Sequence, residues 1–168
     1  MTVDLERPLN LRDDVTPHNC FGCGALNVHG LRLELLADPS GDGVVTRFVP
    51  PAHAEGYTGM VHGGIISTVL DEVMAWTLYR QGIWAVTGQL TTRYRKPIPV
   101  GEPTIAVGTV SRDRGRAIEV KGEIRREADN VLLADGIATF IRVPESQADA
   151  WNDRYGGIVT ASSEGSTP

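Results

Sequence analysis

Cysteine is scarce in this sequence: only Cys20 and Cys23 occur, three positions apart. A disulfide framework of the kind that holds small secreted domains is excluded by that count. Long apolar runs are missing too, none approaching the roughly 18–20 residues of a membrane-spanning helix. The N-terminal stretch MTVDLERPLNLRDD is acidic and polar, without the basic and then apolar order of a secretory signal. A cytoplasmic protein with no membrane span is therefore expected. Basic charge is short as well, with 16 Lys+Arg against 21 Asp+Glu and a net charge of −5. That balance argues against a nucleic-acid partner or a general affinity for anionic lipid. What remains is an ordinary globular mixture, 41% apolar and 22% charged, in a chain of 168 residues with room for one core.

Both ends read as appendages to that core. Residues 1–17, punctuated by Pro8 and Pro17, form an N-terminal extension; residues 18–145 form the domain; residues 146–168, ending in TASSEGSTP, form a largely flexible C-terminal extension. Trp151 and Tyr155, four residues apart, suit one helical turn docked on the body or on a partner subunit. Within the domain, Leu31, Leu33 and Leu35 alternate with polar residues, which predicts a strand over Leu31–Ala37. The turn residues of Asp38–Gly43 then predict a hairpin with Val44–Val49.

One long helix is predicted, from Gly63 to Tyr79. Its apolar positions cover more than half the circumference, so it is expected to be buried on most sides, with Asp71 and Glu72 as its only charges. Four more strands are predicted over Ala85–Tyr94, Glu102–Ser111, Ala117–Arg125 and Val131–Val143. Runs of strands around a single helix indicate an α+β domain with an antiparallel sheet curled about that helix.

The sharpest local signal is Val61-His62-Gly63-Gly64, followed by Asp71. Glycines at a helix start let a ligand approach the backbone, where the first N–H groups have no intrahelical partner. With the positive end of the helix dipole they make a donor site for a carbonyl that becomes an oxyanion. Asp71 lies eight residues beyond Gly63, about 12 Å along a helix axis, too far for both to touch one atom if the helix begins at Gly63. Glu72 sits about 100° around the helix from Asp71, and periodicity does not choose between them. His62 alone reads more readily as a capping histidine than as a catalytic base. The segment His18-Asn19-Cys20-Phe21-Gly22-Cys23-Gly24 contains half of a zinc site, with His18 or His29 as a third ligand; its plainer reading is a structured turn leading into Leu31.

The stretches VHGGIISTVLDEVMAW and VTGQLTTRYRKPIPVG resemble the hotdog-fold acyl-CoA thioesterases, in particular the phenylacetate-degradation (PaaI-like) branch and the mitochondrial members of the thioesterase superfamily. The resemblance runs from about Asn19 to Pro144, although Asn27-Val28-His29-Gly30 replaces the usual Asn-Pro-x-Gly. It implies a single hotdog domain, a curled antiparallel sheet around one long central helix. It implies that the Gly63 amide, beside His62, polarises a thioester carbonyl, and that Asp71 rather than Glu72 is the general base or nucleophile. Thr87 would come from the neighbouring subunit and orient a water. Gly64 would join the substrate site. The phosphates of coenzyme A would meet Arg93, Arg95 and Lys96, or the cluster of Arg112, Arg114 and Arg116, since the planar guanidinium fork suits phosphate. Members are homodimers or dimers of dimers with active sites between subunits, and Met60, Trp76, Trp84 and the opposing subunit would set the depth of the acyl pocket. No metal or redox cofactor is implied; coenzyme A is part of the substrate. Two other readings compete: a non-catalytic acyl-CoA-binding protein, and a hydratase or dehydratase pairing His62 with Asp71.

Overall fold

The computed structural model describes residue 11 and residues 15–156; the rest of the N-terminal extension and the TASSEGSTP tail lie outside the described residues. The strands are β1 (Leu36–Ala37), β2 (Val44–Phe48), β3 (Ala85–Tyr94), β4 (Thr104–Asp113), β5 (Ala117–Arg126) and β6 (Leu132–Arg142). They pair antiparallel throughout, in the spatial order β1-β2-β4-β5-β6-β3. The helices are α1 (Gly63–Arg80), between β2 and β3, and α2 (Glu145–Tyr155), after β6. The sheet curls around α1, which packs against β2 through β6. The α+β architecture expected from the sequence is the one observed.

Burial of α1 follows from its composition. Only Gly64 of its 18 residues is exposed, and Val69, Leu70, Val73 and Met74 are fully enclosed. The sheet admits so apolar a helix because it is bare where the helix crosses. Gly108, Gly122 and Gly136 stand side by side in register across β4, β5 and β6. A Cβ on Gly108 would lie 2.4 Å from the Val73 carbonyl oxygen, and one on Gly122 would lie 3.1 Å from Leu70 Cδ2. Glycine inside a strand here marks close approach of another backbone rather than a break.

Two expectations are corrected. The predicted strand over Leu31–Ala37 is paired only at Leu36–Ala37, opposite Val45 and Val44. The alternation upstream is real, with Leu33 and Leu35 buried and Glu34 exposed. Leu31 and Leu33, however, donate their N–H groups to the Phe21 and Gly22 carbonyls, and Arg32 takes φ +52°. That segment is pinned to the cysteine turn instead of to β2. The C-terminal extension begins with a docked helix of 11 residues, not one turn. Trp151 and Tyr155 pack on the body of the same chain, with ring centroids 5.4 and 6.1 Å from Trp84, whose Nε1–H donates to Asn152 Oδ1 at 2.6 Å.

Candidate active site

The glycine pair is shaped by the cap of α1. His62 is the N-cap, in extended conformation, and its Nδ1 accepts the Gly64 N–H at 2.9 Å. With Nδ1 committed as an acceptor, a neutral His62 carries its proton on Nε2 and is a donor, not a free base. The Gly64 N–H is taken up by this cap. Gly63 occupies the first helical position, so its N–H has no intrahelical partner and stands at the positive end of the dipole. The ring of Tyr94 lies beside Gly63, its hydroxyl donating to the Gly63 carbonyl at 3.1 Å and lying 2.9 Å from Ser67 Oγ.

Two turns further along, α1 turns its less buried stripe, Gly64, Ser67, Thr68 and Asp71, towards β3 and solvent. Thr87 Oγ1 donates to Asp71 Oδ1 at 2.7 Å. Burial raises the Asp71 carboxyl above the usual aspartate range; the Thr87 hydrogen bond opposes the shift and the charge of Cys20 adds to it. The resemblance placed Thr87 on a neighbouring subunit, whereas here it reaches the Asp71 of its own chain. A bulge makes that contact. The β3–β6 register runs Thr87↔Phe140 and then Gln89↔Thr139, skipping Gly88. In plain alternation Leu90, Thr92 and Tyr94 share the helix-facing side and Thr87 falls on the other. The extra residue shifts the parity and re-aims Thr87 at α1. Strand β3 is also an edge, with Val86, Thr87, Gly88, Gln89, Thr91, Arg93 and Tyr94 exposed.

Asp71 and Glu72, which periodicity left undivided, face different surroundings. Glu72 points to the cysteine turn, with Oε1 3.2 Å from Cys20 Sγ. Burial first, and then the charge of Cys20, pushes its carboxyl up to about 8. A hydrogen bond from the Cys23 side chain, followed by others from the backbone N–H groups of Cys23 and Gly22, holds the Cys20 thiol down to about 4. The Cys23 thiol is pushed up by its bond to Cys20 and by burial. Glu72 borders a cavity of about 460 Å³ between α1, α2 and the cysteine turn, into which Trp76, Tyr79 and Trp84 project. Met60 does not line this cavity and is bridged to Pro99.

The two basic clusters separate along the sheet. Arg93, Arg95 and Lys96 end β3 beside Tyr94 and Gly63, with Arg95 paired to Asp135 at 2.5 Å. Arg114 sits in the β4–β5 turn at the other end, where Ala117 pairs with Ile141. Tyr94 entered the sequence reading only within the YRKP stretch, without a role of its own, and Ser67 and the Gly88 bulge were not singled out. The available signals were a glycine inside a Thr-rich strand and a polar stripe three and four residues apart on an apolar helix.

Residues 58–133 match the family model of the thioesterase superfamily. Over 101 residues the chain is 34% identical to acyl-coenzyme A thioesterase THEM4 of Xenopus laevis, covering 60% of this chain and 45% of that protein. The chain thus matches less than half the length of this curated relative. The crystal structure of a thioesterase superfamily protein matches with a TM-score of 0.69 at 28% identity, over 81% of this chain and 70% of that one. A Bacillus halodurans protein whose crystal structure is with CoA matches with a TM-score of 0.60 at 27% identity, over 68% of this chain and 76% of that one. Over residues 58–133 the chain is thus similar to the thioesterase superfamily, and it shares the hotdog architecture of these solved structures.

Proposed function

We propose that the chain hydrolyses an acyl-CoA thioester to a free carboxylic acid and CoA, in a site assembled from two copies. The observation that carries this reading is the Asp71–Thr87 pair: a carboxylate held by a hydroxyl, half-buried on an apolar helix and facing an open strand edge. Because α1 begins at Gly63, its free amide and Asp71 are separated by about 12 Å of helix and do not meet on one carbonyl within a chain. A second copy docked along the unpaired edge of β3 supplies the missing half, the Gly63 of one subunit facing the Asp71 and Thr87 of the other. Assembly as a homodimer or homotetramer belongs to the same proposal.

The chemistry needs few parts because a thioester carbonyl is already electrophilic. As general base, Asp71 takes a proton from water through the oxygen that Thr87 leaves free. The water oxygen bonds to the carbonyl carbon, and the electron pair of the C=O bond moves onto the oxygen facing the Gly63 N–H. Collapse of that intermediate breaks the C–S bond, and the proton returns from Asp71 to the departing sulfur. As nucleophile, Asp71 instead forms an acyl anhydride with loss of CoA, which water then cleaves. Arg93 and Lys96, within two residues of the Tyr94 that bonds the Gly63 carbonyl, suit the CoA phosphates, with Arg95 partly occupied by Asp135. This arrangement favours them over Arg114.

Release of free thiol from a panel of short, long and aromatic acyl-CoAs tests the reading. The wild-type chain should release thiol, and Asp71→Asn should lower kcat by about two or more orders of magnitude. Binding without thiol release would favour a non-catalytic acyl-CoA-binding protein. Loss of enone absorbance from a 2-enoyl-CoA without thiol release would favour a hydratase.

A further inference from the structure

The thioesterase reading leaves the cysteine turn and Glu72 without a role, yet their arrangement is closely built. Three acidic donor atoms, Cys20 Sγ, Cys23 Sγ and a Glu72 carboxylate oxygen, lie within 4.8 Å of one another. They come from segments about fifty residues apart in the chain. A Cβ on Gly22 would stand 2.3 Å from Glu72 Cγ, and one on Gly24 would stand 2.4 Å from the Cys20 backbone nitrogen. Glycine at position 22 lets the turn sit against Glu72 of α1, and glycine at position 24 lets the turn close on itself.

Both sulfurs contact side chains of α1. The Gly24 N–H closes the turn on the Cys20 carbonyl at 2.9 Å, and Cys20 Sγ lies 3.2 Å from Glu72 Oε1. The Trp76 indole N–H, carried on α1, donates to Cys23 Sγ at 3.3 Å. The thiolate is the form that binds metal, and a bound ion itself displaces the proton of a coordinating thiol. A tetrahedral ion with metal–sulfur bonds of about 2.3 Å and metal–oxygen bonds of about 2.0–2.2 Å holds its ligand atoms roughly 3.5–3.8 Å apart. The observed atoms, all within 4.8 Å of one another, lie near that spacing.

We propose that Cys20, Cys23 and Glu72 bind one zinc-class divalent ion, whose fourth position opens on the cavity beside Trp76. The third protein ligand is thus Glu72, and not His18 or His29 as the sequence suggested. His18 Nδ1 already accepts the Cys20 N–H at 3.2 Å, and His29 lies exposed beyond the turn. Thiolate ligands select a soft or borderline cation over magnesium or calcium. Binding displaces the thiol protons and offsets the negative charge gathered there. The ion would staple the segment before β1 to α1, one residue from Asp71.

Cobalt(II) is the probe, because thiolate ligation gives it a charge-transfer band in the near ultraviolet and tetrahedral geometry gives it strong visible bands. The full chain, stripped with a chelator and kept reduced by a phosphine, is titrated with Co2+ alone. The bands should saturate at one equivalent per chain and be bleached by Zn2+. Cys20→Ser and Cys23→Ser should each abolish the charge-transfer band, and Glu72→Gln should weaken Co2+ binding about tenfold or more. A reduced, folded wild-type chain that shows no band overturns the proposal, and this arm depends on no variant. Equal Co2+ affinity in a Cys20→Ser, Cys23→Ser double variant overturns it as well, since the metal would then sit elsewhere.

Discussion

The Thr87 hydroxyl donates to Asp71 Oδ1 at 2.7 Å across the seam between β3 and α1, within one chain. This bond fixes one carboxylate oxygen and leaves the other open. Replacing Thr87 by valine keeps the shape and removes the donor. A hydrogen bond to a charged group is worth about 1.5–3 kcal/mol, so kcat for thioester hydrolysis should fall about tenfold to a hundredfold. Steady-state kinetics check this, with KM little changed because the hydroxyl meets the carboxylate and not the CoA moiety.

His62 is assigned to the helix cap by its bond to the Gly64 N–H. Loss of that cap in His62→Ala should destabilise the fold by about 1 kcal/mol, whereas His62→Asn, which can cap in the same way, should recover most of the loss. Urea unfolding of the two variants measures the difference. Equal destabilisation of both would show that the imidazole contributes something other than capping.

Gly108 admits α1 to the sheet, with the Val73 carbonyl 2.4 Å from where its Cβ would stand. Backbone does not yield as a flexible side chain does, so Gly108→Val should cost about 1–3 kcal/mol of stability or more. Gly115, at the tip of the β4–β5 turn with nothing near its missing Cβ, needs its glycine for φ +78° instead. Changing Gly115 to asparagine, which tolerates that conformation, should be mild in the same unfolding assay.

Helix α1 was legible because its apolar residues are continuous in period and all of them find a partner. Strands β3 to β6 were legible because Thr, Val and Ile runs are cut by Gly, Asp and Asn turns. Leu31–Leu35 misled because alternation reports burial of one face and not the identity of the neighbour, and the neighbour is an aperiodic cysteine turn. The site was readable only in part. His62, Gly63 and Asp71 stand out by spacing, but the parity change at Gly88 that aims Thr87 depends on pairing with β6. The separate surroundings of Asp71 and Glu72 depend on which elements cover each side of α1. The Cys20–Glu72 contact spans 52 residues and leaves no periodic trace.

The central claim is that the amide of one subunit and the carboxylate of another act on the same carbonyl. Gly63→Pro removes the amide proton at the helix position where proline fits best, after a residue already at ψ 134°. Alone it should lose about 100- to 1,000-fold in kcat, as for removal of an oxyanion donor. Asp71→Asn should be comparably impaired. In a hybrid of one Gly63→Pro and one Asp71→Asn subunit, purified by two different tags, one site keeps both the Gly63 amide and the Asp71 carboxylate. The account predicts that this hybrid regains about half the wild-type turnover per dimer. Activity in the hybrid no higher than in either parent variant would contradict it.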